Sequence, residues 1–214
     1  MSREYQRPVL QPTSSFDWII GSDEPGAAHR IAQETSWALL NRVRGLADGE
    51  GGDPQVVERV VQLAAGSGID DIAELWSSAG AHSLAGQLWR IYLLHRIAVT
   101  DPEGTADLFR WGSESDPTIH PVVAGVAEPI SPASISALCD TILRGVFSGD
   151  LAIALERASS YCRIMSLGAA SLADQRDRFD EEHAAELTTR ALRYAKFADE
   201  LYAGSRRWRE GTLD

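Results

Sequence analysis

Apolar residues in this chain return every three or four positions in one segment after another, the spacing of helices with one buried face. Alternation at every second position is nearly absent. Ile31, Thr35, Leu39, Val43 and Leu46 form one such stripe. Ahead of it, Gly21-Ser22-Asp23-Glu24-Pro25 combines a capping side chain, acids for the first turn and an early proline, which predicts a helix start. Asp53-Pro54, Asp101-Pro102 and Ser131-Pro132 share one device, a capping side chain directly before a proline at the first helical position. The helix from Asp53 carries Val56, Val57, Val60 and Val61 and stops at Gly66-Ser67-Gly68. A short helix with Ile69, Ile72, Ala73 and Trp76 inward follows.

Ser83 opens the most apolar helix, with Leu84, Leu88, Trp89, Ile91, Leu94 and Ile97 spread around most of its circumference, the mark of a helix buried on most sides. Residues 102–111 predict a short helix ending at Trp111-Gly112. Ile135, Leu138, Cys139, Ile142 and Val146 predict one helix, and Leu151, Leu155, Ala158, Cys162 and Met165 the next. Gly149-Asp150 between them makes an antiparallel hairpin. A final helix is expected from a Ser171 cap to Tyr202, with Phe179, His183, Leu187, Tyr194, Ala198 and Leu201 as its seam and Gly204 as its stop. The run Val122-Val123-Ala124-Gly125-Val126 is short and glycine-broken, so it reads as loop.

The pattern therefore predicts an all-α fold: a single-domain bundle of about seven or eight helices around a buried central helix at 83–100, with a long C-terminal helix. A flexible N-terminal arm over 1–15 precedes the helical domain at 16–204, and a frayed tail over 205–214 ends it. Phe16, Trp18, Ile19 and Ile20 are expected to pin the arm to the body.

Composition narrows the setting. Hydrophobic residues make up 44% and charged residues 24%, the range of a folded globular chain. The net charge of −11 opposes nucleic-acid phosphates and anionic membranes, so neither is expected as a partner. Lys196 is the one lysine among 20 basic residues, an arginine bias suggesting GC-rich bacterial coding. Cys139 and Cys162 are two thiols without zinc spacing, and Met1 to Gln11 carries no apolar leader run; the chain reads as cytoplasmic.

Candidate chemistry is sparse. Residues 112–130 form a proline-stiffened loop holding Glu114, Asp116, His120 and Glu128, where an acid and an imidazole on one constrained segment suit acid–base work or cation binding; a plain surface crossover explains the same residues. Arg90, His95 and Arg96 sit on the otherwise apolar central helix. They read either as an internal ion-pair network or as the cationic lining of a ligand cavity. Asp180-x-x-His183-x-x-Glu186 has metal-ligand spacing, but no second Glu-x-x-His copy accompanies it, so neither metal nor other cofactor is expected. Cys139 and Cys162 face each other across the predicted hairpin and read as core thiols before a redox pair. Arg206-Arg207-Trp208-Arg209 is too small a basic cluster to argue for nucleic acid.

Phosphate-loop, dinucleotide, zinc-protease and nucleophile-elbow motifs are all missing. The sequence thus favours a non-enzymatic interaction or adaptor protein of unspecified protein partner. Alternatives are a small-molecule-binding regulatory domain with its pocket near the central helix, at Arg90, His95, Arg96, Asp116 and His120, or an enzyme whose site is assembled from scattered residues. A homodimer is expected, because a C-terminal helix of about 45 Å outruns a compact domain of this size and Leu192 and Phe197 lie off its seam.

Overall fold

The computed structural model describes residues 25–48, 68–115 and 130–213, and every regular element in them is an α-helix. They are α1 (Pro25–Asp48), α2 (Ile69–Trp76), α3 (Leu84–Thr100), α4 (Pro102–Ser115), α5 (Pro132–Leu143), α6 (Leu151–Arg176) and α7 (Glu181–Glu210). The arm, the Phe16–Ile20 cluster, the helix expected from Asp53 and the loop bearing Asp116 and His120 lie outside the described residues. So do the side chains of Val43 and Leu46.

The caps expected at Ser83 and Ser131 form: Ser83 accepts from Gly86 N at the start of α3. Asp150, read in the sequence only as a turn residue, also caps α6 by accepting from Ala152 N. Ser131 and Ser134 make a reciprocal capping box on α5. One buried core joins all seven helices. Helix α3 packs against α1, α2, α4, α5 and α7, which makes it the hub that its apolar circumference predicts. Its buried residues stop at Leu94, so its last turns reach the surface.

The main departures from the expected boundaries lie in the C-terminal third. Helix α6 runs unbroken to Arg176, so Ser171 is an interior residue and not a cap. Asp180 is the true N-cap of α7, accepting from His183 N at 3.1 Å, ahead of Glu181 and Glu182 in the first turn. Phe179 consequently falls in the turn between the two helices, 87% exposed, and not on the seam. Gly168 and Ser166 lie inside α6 and both serve packing. A Cβ at Gly168 would overlap Leu108 O of α4, and Ser166 Oγ donates to Ala191 O of α7. Helix α4 likewise continues through Gly112 to Ser115, because Gly112 is the other half of that crossing: its Cβ would overlap Ile164 O of α6.

Helix α7 also passes Gly204 and ends at Glu210, with Gly211 in the left-handed conformation as its C-cap. Gly204 is glycine because the buried Gln87 amide lies where its Cβ would be. That amide donates to Glu200 O at 3.0 Å and to Ala81 O. The 205–213 stretch is therefore part of the body and not a frayed tail: Trp208 packs on Trp37 of α1, and Leu213 is buried. Helix α7 lies along α6, which is of similar length, and this pairing is the most extensive among the described helices. The length of α7 thus has an intramolecular explanation.

Candidate functional site

The three described residues of the expected ligand site diverge. Arg90 Nε lies 2.6 Å from Glu200 Oε2 of α7, and its Nη1 donates to Gly86 O; the ion pair is largely shielded from solvent. His95 Nε2 stands 3.9 Å from Asp140 Oδ1 of α5, a carboxylate already held by Arg144 Nε at 2.8 Å. Arg96 approaches Asp70 of α2 at 4.0 Å, and the same carboxylate accepts the Tyr92 hydroxyl at 2.7 Å. Burial, and then this hydrogen bond to Asp70, raise the pKa of Tyr92. Each of the three side chains thus lies toward a carboxylate on a different helix; Arg90 is the one largely shielded from solvent, with the close carboxylate partner that such a charge requires, whereas Arg96 is exposed. Asp116 and His120 lie outside the described residues.

The histidine motif of α7 is occupied by helix chemistry. Asp180 caps the backbone, and His183 Nδ1 lies 3.4 Å from Glu186 Oε2. Among the described residues no three His, Cys, Asp or Glu side chains converge as a metal site requires. Cys139 and Cys162 are free thiols in the core. Burial pushes Cys139 up to about 12 and Cys162 well above the ordinary thiol range.

A groove that the sequence reading did not single out runs along the flank of α7 beside the exposed end of α3. It encloses about 470 Å³, within the size of small-molecule sites. Glu186, Thr189, Arg190, Arg193, Tyr194 and Phe197 line it from α7, and Ile97 from α3. The α7 residues fall at helical spacing on one side, next to the seam formed by Leu187, Ala191, Tyr194 and Ala198. The detectable signal was therefore a flank pairing arginines with aromatics, beside the buried seam of α7.

Arg190 holds the groove's electrostatics together. Its guanidinium stands over the Tyr194 ring, 5.9 Å from the centroid, and 4.0 Å from Asp101 Oδ2 at the α3–α4 junction. Burial raises the Tyr194 pKa and the charge of Arg190 opposes that rise. Even so, the hydroxyl makes no hydrogen bond of ordinary geometry among the described residues. Thr189 donates to Ala185 O, and Arg193 is exposed with no ion pair among the described residues. The groove therefore offers the guanidinium groups of Arg190 and Arg193, together with the Glu186 carboxylate, beside the apolar surface of Ile97, Tyr194 and Phe197.

A second depression of about 370 Å³ lies between α5 and α6, lined by Leu138, Phe147, Ile153 and the buried Arg157 among others. Two of its polar groups are engaged within their own helices: Asp150 caps α6 and Thr141 donates to Ala137 O.

Fold and groove together define an all-helical bundle with a cationic, apolar-floored groove beside its terminal hairpin. The chain matches no known family, no curated protein and no solved structure.

Proposed function

We propose that this protein is a non-enzymatic binding module whose ligand is a small anion with an apolar body, seated in the groove between α3 and α7. The carrying observation is the pair Arg190 and Arg193 on a floor of Ile97, Tyr194 and Phe197, in a chain of net charge −11. An acidic surface repels anions at long range, so local cations above apolar surface are where anion affinity concentrates. Guanidinium groups remain protonated at physiological pH and do not exchange protons with a substrate; they hold a carboxylate or similar group in place. This takes up the ligand-binding reading of the sequence, at Arg190 and Arg193 in place of Arg90 and His95, because Glu200 already neutralises Arg90.

Calorimetric titration with octanoate at low salt tests the reading, with octan-1-ol as the uncharged counterpart. Octanoate is expected to bind, octanol to bind more weakly, and Arg190→Gln with Arg193→Gln to lower octanoate affinity by about tenfold, as loss of charge-assisted hydrogen bonds implies. Binding that survives the double substitution undiminished, or no binding by the unaltered chain, overturns it.

A further inference from the structure

Asp101 is the single residue between α3 and α4, and its two carboxylate oxygens do different work. Oδ1 accepts from Gly104 N at 2.9 Å, closing the first turn of α4. Oδ2 faces the Arg190 guanidinium in the groove at 4.0 Å. Gly104 has no side chain to disturb this arrangement, since a Cβ there would fall on the Asp101 carboxylate.

We infer that Asp101 is a built-in competitor for Arg190, a carboxylate that occupies the groove's inner cation until a ligand anion displaces it. This rests on the anion-binding reading of the groove and adds to it the residue that sets affinity. Three features carry it. The 4.0 Å separation is well beyond the 2.7–2.9 Å of a charge-assisted hydrogen bond, so the pair is loose and its guanidinium donors are not saturated. Asp101 is about half exposed and Arg190 about one-third exposed, the setting in which an ion pair contributes little and yields easily. The carboxylate is also tethered through Oδ1 to the α4 cap, so it cannot offer both oxygens to Arg190 without giving up that bond. A ligand carboxylate has no such tether and can approach the guanidinium in the bidentate geometry that Asp101 does not reach. Displacement leaves Asp101 as the cap of α4, so the fold does not depend on whether the groove is filled.

Asparagine at 101 separates the two roles, because its side-chain oxygen caps a helix as well as aspartate does while carrying no charge. Asp101→Asn is expected to keep the unfolding temperature and to bind octanoate about threefold more tightly, the scale on which exposed ion pairs compete. Asp101→Ser, another capping residue, serves as a second variant. Removing a negative charge also raises anion affinity through the general field, so the decisive step repeats Asp101→Asn in an Arg190→Gln background. Competition for Arg190 requires that the gain disappear there; if that background shows no detectable binding, Asp101→Asn must fail to restore it. A gain or restoration without Arg190 overturns the inference and leaves only a field effect, as does an unchanged or weaker affinity in the single variants. If neither the unaltered chain nor Asp101→Asn binds octanoate, the groove reading itself has failed and the competitor falls with it.

Discussion

The hydroxyl of Ser159 on α6 donates to the main-chain carbonyl of Ala198 on α7 at 2.7 Å. Seven residues further along α6, Ser166 repeats the bond to Ala191, seven residues earlier on α7. Continued by another seven in each direction, this antiparallel register sets Ala152 opposite Ser205 and Ala173 opposite Ala184, all four buried. A side chain as short as serine reaches the neighbouring backbone only where the helices run close, and the alanines and serines at this interval permit that. Ala198→Leu is therefore expected to destabilise the fold by about 2–3 kcal/mol through overpacking. Ser159→Ala should cost only about 1 kcal/mol, the net worth of one hydrogen bond. Urea unfolding followed by circular dichroism measures both; a larger loss for Ser159→Ala than for Ala198→Leu would refute the close-packing account.

The crossing of α4 over α6 supplies a sharper test. Gly112 and Gly168 face the opposite backbone, and a Cβ on either would overlap a carbonyl of the facing helix, Ile164 O or Leu108 O. Backbone cannot rotate aside as a side chain end can. Gly112→Ala and Gly168→Ala should each destabilise by about 3 kcal/mol, although alanine improves helix propensity by about 1 kcal/mol. Thermal unfolding of either variant at or above the unaltered midpoint would mean the helices are not in backbone contact.

These two devices also show what was legible in the sequence. Capping serines and aspartates, early prolines and apolar stripes act within a few residues of each other, so α3, α5 and the starts of their neighbours follow from local spacing. Gly112 and Gly168 are ambiguous locally, because a glycine that ends a helix and one that admits a second helix read alike until the partner is known. The seven-residue interval of small residues on α6 and α7 was present in the sequence, but only the two together reveal a register. The groove escaped for a similar reason. Arg190 and Arg193 look like an ordinary solvated face until Ile97 and Asp101 arrive from the end of α3. Arg90 and His95 drew notice because charge on an apolar helix needs a partner, and each has a carboxylate near it.

The core thiols set an alkaline limit. An unfolded cysteine ionises near 8.5, whereas burial holds Cys139 protonated up to about 12 and shifts Cys162 in the same direction. Between those values the native state binds more protons than the unfolded state, so stability is intact below about pH 8.5 and falls as pH rises toward about 12. Burial raises Tyr161 and Tyr194 as well, adding to the fall at its upper end. Unfolding midpoints measured from pH 8 to 11 should decline steadily, and both thiols should resist a water-soluble disulfide reagent at neutral pH until the chain unfolds. Rapid modification of either thiol in the native protein would contradict their burial.

The end of α7 separates a structured terminus from a loose one. Trp208 lies against Trp37 of α1 with ring centroids 5.7 Å apart, Arg209 grips both oxygens of Glu156 on α6, and Leu213 returns to the core beyond the Gly211 turn. The terminal residues thus tie the first helix to the last hairpin. The energy is not shared evenly among them. Arg209 is about half exposed, so its ion pair is screened and Arg209→Ala should cost far less than loss of the neighbouring tryptophan. Trp208 is partly buried against the core, and Trp208→Ala should cost about 2 kcal/mol, somewhat below the range for a fully buried tryptophan. Ending the chain after Gly204 removes Trp208, Arg209 and Leu213 together and should lower the unfolding midpoint by more than either substitution. It should also expose Trp37, shifting tryptophan emission to longer wavelength. A truncated chain with unchanged midpoint and emission would mean that this terminus is detached in solution and that α1 is held by other contacts.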